Sequence, residues 1–172
     1  MKQHSYLSPK CHIEKSAIHK RGVFAKATIA KGEIIALWGG VVYSLEEITQ
    51  LAKKYPYFET HTVSISKDFY LGPITPSKAP LDDTEMMNHS CEPNAGIKEQ
   101  IAVVARCLIR PGEEVCFDYD TTEISAVPFH RQCAMPSCRR RIDGSAWRDK
   151  HFRARNRGYF SWYIQELIRK ER

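Results

Sequence analysis

A chain of 172 residues, 42% hydrophobic and 27% charged, is long enough for one domain with a real core and ordinary in composition for a globular fold. No apolar stretch approaches the ~20 residues that a bilayer span needs, and the start, Met1 to Tyr6, lacks the apolar core of a secretory leader. A cytoplasmic protein is therefore expected, with no membrane partner.

The first third reads as short strands. Val23–Ala25 and Glu33–Trp38 are β-branched or aromatic runs separated by a Lys31-Gly32 turn. Ser44-Leu45-Glu46-Glu47 has the pattern of a capping box, and Leu45, Ile48, Leu51 and Ala52 share a helical face. A helix over 45–54, ending near Pro56, follows. Thr62–Ser66 alternates like a half-buried strand, Phe69–Leu71 continues it, and the prolines between residues 72 and 84 predict a loop. Ile101–Ala105 and Glu114–Phe117 are strands flanking a Pro111-Gly112 turn. Segments Ile29–Ile35 and Ile109–Val115 look alike but are too short to define a repeat. From Tyr159 the period changes: Phe160, Tyr163, Ile164, Leu167 and Ile168 fit an amphipathic terminal helix. The fold class is mainly β with peripheral helices, α+β, in one folding unit.

The net charge of +6 is concentrated. Residues 139–157 hold eight Lys/Arg against two Asp, while the remainder is balanced. Such a stretch suits nucleic acid or an acidic partner, and equally a solvated face with structural arginines. The six cysteines are scattered, which argues against a disulfide framework. Cys107 and Cys116 lie in apolar runs and are expected to be buried small hydrophobes.

Two segments are unusual for a plain β domain. Met86-Met87-Asn88-His89-Ser90-Cys91-Glu92-Pro93-Asn94 sets hydrogen-bonding side chains among apolar ones, and Glu113-Glu114-Val115-Cys116-Phe117-Asp118-Tyr119 ends a strand on a carboxylate and a phenol. Taken singly, each has a structural explanation, as turn chemistry or as a core tyrosine with a wet hydroxyl. Together they resemble the paired signature of SET-domain methyltransferases. Ser16–Ala25 is similar to that family's opening cofactor loop, and Trp38-Gly39-Gly40 falls where the family has Tyr-x-Gly. The spacing Cys133-x4-Cys138-Arg139 resembles the cysteine segment that follows the domain, and Asp143–Trp147 with Arg157–Phe160 resembles the tail of compact members.

The resemblance implies a fold of small twisted sheets with the two signature segments threaded as a pseudo-knot. It implies a SET domain over 10–123, with 124–172 as a following segment and C-terminal helix of the same unit. The implied activity is S-adenosylmethionine-dependent methylation of a lysine on a protein substrate, histone, ribosomal or otherwise basic. By the same resemblance Tyr119 is the catalytic tyrosine. Phe117 and Trp38 wall a substrate channel, and phenylalanine at 117 leaves room for di- or trimethylation. Asn88 and His89 fall to the adenosine moiety, and His19, Arg21 and Gly22 to the methionine end. His61 stands where the family has a cofactor-contacting tyrosine, and Lys20 where it often has glycine. Asp118 is expected to brace the knot.

The family's zinc pattern is matched by Cys91, Cys133 and Cys138, but Arg131 replaces the fourth ligand, and His130 is its neighbour. Full zinc occupancy is not expected. The rival reading is a catalytically weak SET-like module that binds nucleic acid or an acidic partner through residues 139–157.

Overall fold

In the computed structural model, residues 4–74, 82–124, 129, 130, 133 and 135–171 are described. The first strands are β1 (Tyr6–Leu7), β2 (Cys11–Lys15), β3 (Arg21–Ala25), β4 (Ile34–Leu37) and β5 (Val41–Ser44). After helix α1 (Leu45–Lys54) come β6 (Val63–Ser64), β7 (Phe69–Gly72), β8 (Asn88–His89), β9 (Ala95–Lys98), β10 (Ala102–Ala105) and β11 (Glu114–Phe117). The C-terminal part holds a ribbon, β12 (Phe129–His130) with β13 (Arg141–Ile142), and helices α2 (Lys150–Arg155) and α3 (Trp162–Lys170).

Two four-stranded sheets, in the orders β1-β4-β10-β9 and β2-β3-β11-β8, contribute side chains to one core. Val23, Ile35, Ile97, Val103 and Val115 are completely buried there. A third sheet, β5-β7-β6, carries α1 on a separate cluster of Tyr43, Ile48, Ala52, Phe58 and Tyr70. Trp147, Phe152, Phe160, Ile164 and Ile168 form a third cluster in the C-terminal part. This is the α+β architecture of small sheets with a terminal helix. Among the described residues no helix is long and apolar enough to cross a membrane.

The look-alike segments turn out to be partners. Ile29 and Ile109 exchange backbone hydrogen bonds of 2.9 and 3.0 Å. Each then enters a tight turn with glycine at φ +84°, Gly32 in one and Gly112 in the other, a conformation that glycine adopts without strain. Each turn is closed by a glutamate, Glu33 Oε2 accepting from Ala30 N and Glu113 Oε2 from Arg110 N.

The predicted helix appears over its predicted range. Ser44 Oγ accepts from Glu47 N at 3.2 Å and Glu47 Oε2 accepts from Ser44 N at 2.7 Å, which completes the capping box. Leu45 departs from the predicted face: it is 51% exposed at the first helical position, while Ile48 and Ala52 are buried.

Other expectations are shortened or displaced. The strand over 62–66 contracts to Val63–Ser64, because Ile65 N and Ser66 N both turn back to Phe69 O. The predicted loop includes a 3-10 turn, Asp83–Met86, capped by Asp82, and its residues 75–81 lie outside those described. The terminal helix starts at Trp162, behind the Ser161 cap, so Phe160 packs beside it rather than within it. Cys116 is buried as expected, but Cys107 is exposed. It belongs to a short link after β10 in which Leu108 is also exposed and only Ile109 turns inward.

Candidate active site

The site is built by one long-range pairing. Strand β8 lies parallel to β11, with Asn88 opposite Cys116 and His89 opposite Phe117. The two signature segments, distant in sequence, are thus neighbours. Successive side chains of a strand point to opposite faces, so Glu114 and Phe117 leave β11 on different sides.

On the Glu114 side, the loop 16–22 is tied down. Asn88 Nδ2 donates to Arg21 O at 2.9 Å, to His19 O at 3.4 Å and to Glu114 Oε1 at 2.7 Å. Glu114 Oε2 accepts from Ser16 Oγ at 2.9 Å, and Ser16 Oγ accepts in turn from the amides of Ile18 and His19. Gly22 is pressed against this knot: a Cβ there would stand 2.1 Å from Glu114 Oε1. Lys20 has φ +41°, the left-handed region, which explains why glycine suits that position better. The side chains of His19 and Arg21 are left exposed. Sequence reasoning missed Glu114 and Ser16. The Gly-Glu-Glu run contained the first, but nothing local showed that its carboxylate bridges two other segments.

On the other side, Trp38, Phe117 and Tyr119 stack in succession, with ring centroids 5.3 Å apart for Trp38–Phe117 and 4.9 Å for Phe117–Tyr119. Tyr119 belongs to a 3-10 turn, Tyr119–Thr121, rather than to β11, so the strand stops at Phe117 and does not end on the carboxylate and phenol as expected. The phenol is held instead by its own hydrogen bond, Tyr119 Oη donating to Met87 O at 2.8 Å. These three rings line a cavity, together with His61, Met87, Glu85 and Glu123. His61 therefore joins the aromatic cavity.

The remaining signature residues face inward. The His89 ring is 1% exposed, with Nε2 3.2 Å from Cys91 Sγ and Nδ1 accepting from Tyr119 N at 3.3 Å. Asp118 is buried and takes a two-pronged contact from Arg139, Nη1 to Oδ2 at 2.7 Å and Nη2 to Oδ1 at 2.6 Å. Arg139 Nη2 also meets Asp120 Oδ2 at 2.8 Å, and Asp120 Oδ1 accepts from Gly144 N. Burial pushes the Asp120 carboxyl above its usual range, against the pull of Arg139. This network fastens the segment after the domain to the second signature.

Cys91, Cys133 and the His89 ring offer three buried ligand atoms within 4.8 Å of one another. Cys138 is hydrogen-bonded to Cys133 and Cys91, and Arg139 N and His89 Nε2 both approach Cys91 Sγ. A tetrahedral zinc site wants four ligands. His89 Nε2 stands 3.2 Å from Cys91 Sγ, at hydrogen-bonding distance, while Nδ1 accepts from the Tyr119 amide. Position 131 and the side chain of His130 lie outside what is described. The described residues thus fit a hydrogen-bonded sulfur cluster better than a complete metal centre. Elemental analysis of protein purified without added metal should give well under one zinc per chain. One tightly held zinc, lost on changing Cys133 or Cys138 to Ser, would contradict this.

The SET domain family model matches residues 20–120, more than half of the chain, and the fold and paired signatures agree with it. The chain belongs to the SET-domain family. It is 30% identical over 139 residues to histone-lysine N-methyltransferase ash1 of Drosophila melanogaster, a match covering 75% of this chain and 6% of that protein. It is 27% identical over 140 residues to the H3 lysine-4 specific histone-lysine N-methyltransferase of Mycosarcoma maydis, covering 73% of this chain and 9% of the relative. Histone-lysine N-methyltransferase 2B of Homo sapiens is 27% identical over 137 residues, 74% of this chain and 5% of the relative. The chain spans less than a tenth of the length of these relatives.

Proposed function

We propose that this protein is a lysine methyltransferase that uses S-adenosylmethionine to modify a lysine side chain on a histone, ribosomal or other basic protein. The observation that carries this reading is the parallel register of Asn88–His89 with Cys116–Phe117, which sets an anchored polar loop and an aromatic cavity on two sides of one strand pair.

The parts suit the chemistry. Bound S-adenosylmethionine would supply an electrophilic methyl group and leave as S-adenosylhomocysteine. The exposed Arg21 guanidinium suits a carboxylate, and His19, exposed on the same loop, stands two residues before it. A free lysine titrates near ~10.4 and must lose its proton before it can attack. Trp38, Phe117 and Met87 offer an apolar wall that disfavours the charged amine and lowers its pKa. Tyr119 Oη spends its proton on Met87 O. Its lone pairs therefore face the cavity as acceptors, suited to an N–H of a neutral amine and to aiming the nitrogen lone pair away from the phenol.

Incubation with labelled cofactor and a mixture of basic proteins, followed by mass spectrometry, tests the reading. Transfer to lysine supports it, and no transfer to any protein despite cofactor binding removes it. Asn88→Ala should weaken cofactor binding about tenfold, because the loop 16–22 loses its buried anchor at a cost of ~1–2 kcal/mol. Calorimetry showing unchanged affinity, with circular dichroism unaltered, would separate Asn88 from the cofactor.

The rival reading, nucleic-acid or acidic-partner binding through residues 139–157, loses support from the ion pairs. Arg139, Arg141, Arg148 and Arg153 contact Asp118 and Asp120, Asp143, Glu171 and Glu171 respectively. Half of the basic side chains in the stretch are thus paired within the protein. A nucleic-acid shift assay at physiological salt is the direct check.

A further inference from the structure

The aromatic cavity carries a charge pattern that the methyl transfer itself does not require. Glu59, Glu85, Glu123 and Asp143 line it, and among the described residues no lysine or arginine does, although the chain as a whole has six excess positive charges. Asp143 is already engaged by Arg141. Glu85 is different: its Oε2 is fully buried and meets no hydrogen-bond donor among the described residues. Glu123 Oε2 accepts from Ser64 Oγ at 3.2 Å, and among the described residues no cationic group pairs with it.

Both carboxyls are joined to the reacting tyrosine through the backbone. Glu85 lies two residues before Met87, whose carbonyl holds Tyr119 Oη, and Glu123 N donates to Tyr119 O at 3.1 Å. Burial pushes Glu85 up to about 7 and Glu123 up to about 8, so each is poised to ionise when a cation arrives.

We propose that Glu85 and Glu123 recognise a second cation on the substrate, so that the cavity selects a lysine with an arginine or lysine one or two positions away. The target lysine is not the cation they serve. A carboxylate against that amine would hold it protonated and oppose transfer, whereas the Trp38–Phe117–Tyr119 end favours the neutral form. The two carboxyls therefore suit a neighbouring guanidinium or ammonium, which pairs without needing to lose a proton.

This inference rests on the methyltransferase reading for its substrate, and the test separates the two. Synthetic peptides with one lysine, and either arginine or glutamine placed one or two positions to each side, are measured for binding by fluorescence anisotropy and for kcat/KM by mass spectrometry. The native protein should favour the best arginine-flanked peptide about tenfold in both measurements. The preference should weaken with added salt and fall below about twofold in the isosteric double variant Glu85→Gln, Glu123→Gln. Equal use of arginine and glutamine peptides by the native protein overturns the inference, and this arm needs no variant to fold. A preference that survives in a double variant with native circular dichroism also overturns it. Selective binding without transfer to any peptide would leave the acidic recognition standing and remove the methyltransferase reading; transfer without selectivity would do the reverse.

Discussion

Tyr119→Phe should slow every methyl transfer by about 10- to 100-fold, the cost of losing a hydroxyl that orients the attacking amine, on the order of 1–3 kcal/mol. The hydroxyl is positioned before substrate arrives, by its 2.8 Å bond to Met87 O. Phenylalanine would keep the ring packing against Phe117 and His89 and remove only that acceptor. The loss should therefore appear in kcat more than in KM, measured by mass spectrometry at saturating cofactor. Phe117→Tyr tests the neighbouring ring. Phe117 is 7% exposed, against Trp38 and Tyr119. A hydroxyl added there would take up space beside the lysine nitrogen and hold an ordered water, whose displacement costs up to ~2 kcal/mol. The native protein should form di- or trimethyl-lysine at long reaction times, and Phe117→Tyr mainly monomethyl-lysine with the first transfer little changed. Native protein that stops at monomethyl-lysine under excess cofactor, or full activity in Tyr119→Phe, would reassign these residues.

Removing Arg139 should cost about 3–5 kcal/mol of stability, a large share of what a domain of this size has. The loss comes from what is left behind. Asp118 and Asp120 are buried almost completely, and without the guanidinium two carboxylates share one low-dielectric site. Urea unfolding of Arg139→Ala should show a lower midpoint with an unchanged slope. Arg139→Lys should rescue only part, because an ammonium cannot reproduce the fork that meets both Asp118 oxygens and Asp120 together. A midpoint unchanged in Arg139→Ala would mean that the network contributes nothing to stability.

The same network shows where sequence reading reaches its limit. Asp118 was legible as a brace, because it sits inside a recognisable motif. Its partner was not, since Arg139 lies 21 residues away in a stretch whose charge read equally well as a binding face. His89 was legible as a motif residue, but the direction of its ring depends on Tyr119 N and Cys91 Sγ. Cys107 was misread because an apolar run on paper became a surface link once Ile109 alone turned inward.

What the sequence by itself determined were the features held by local interactions. The capping box and helix over 45–54, the glycine turns at 32 and 112, and the residue types of the two signatures need only neighbours within a few positions. The tertiary structure alone decided the parallel pairing of β8 with β11, the bridging role of Glu114, the removal of Tyr119 from the strand, and the gathering of Glu85 and Glu123 at one cavity. Each of these depends on segments far apart in the chain meeting across a packed core, where burial and hydrogen-bond satisfaction, rather than local propensity, select the arrangement.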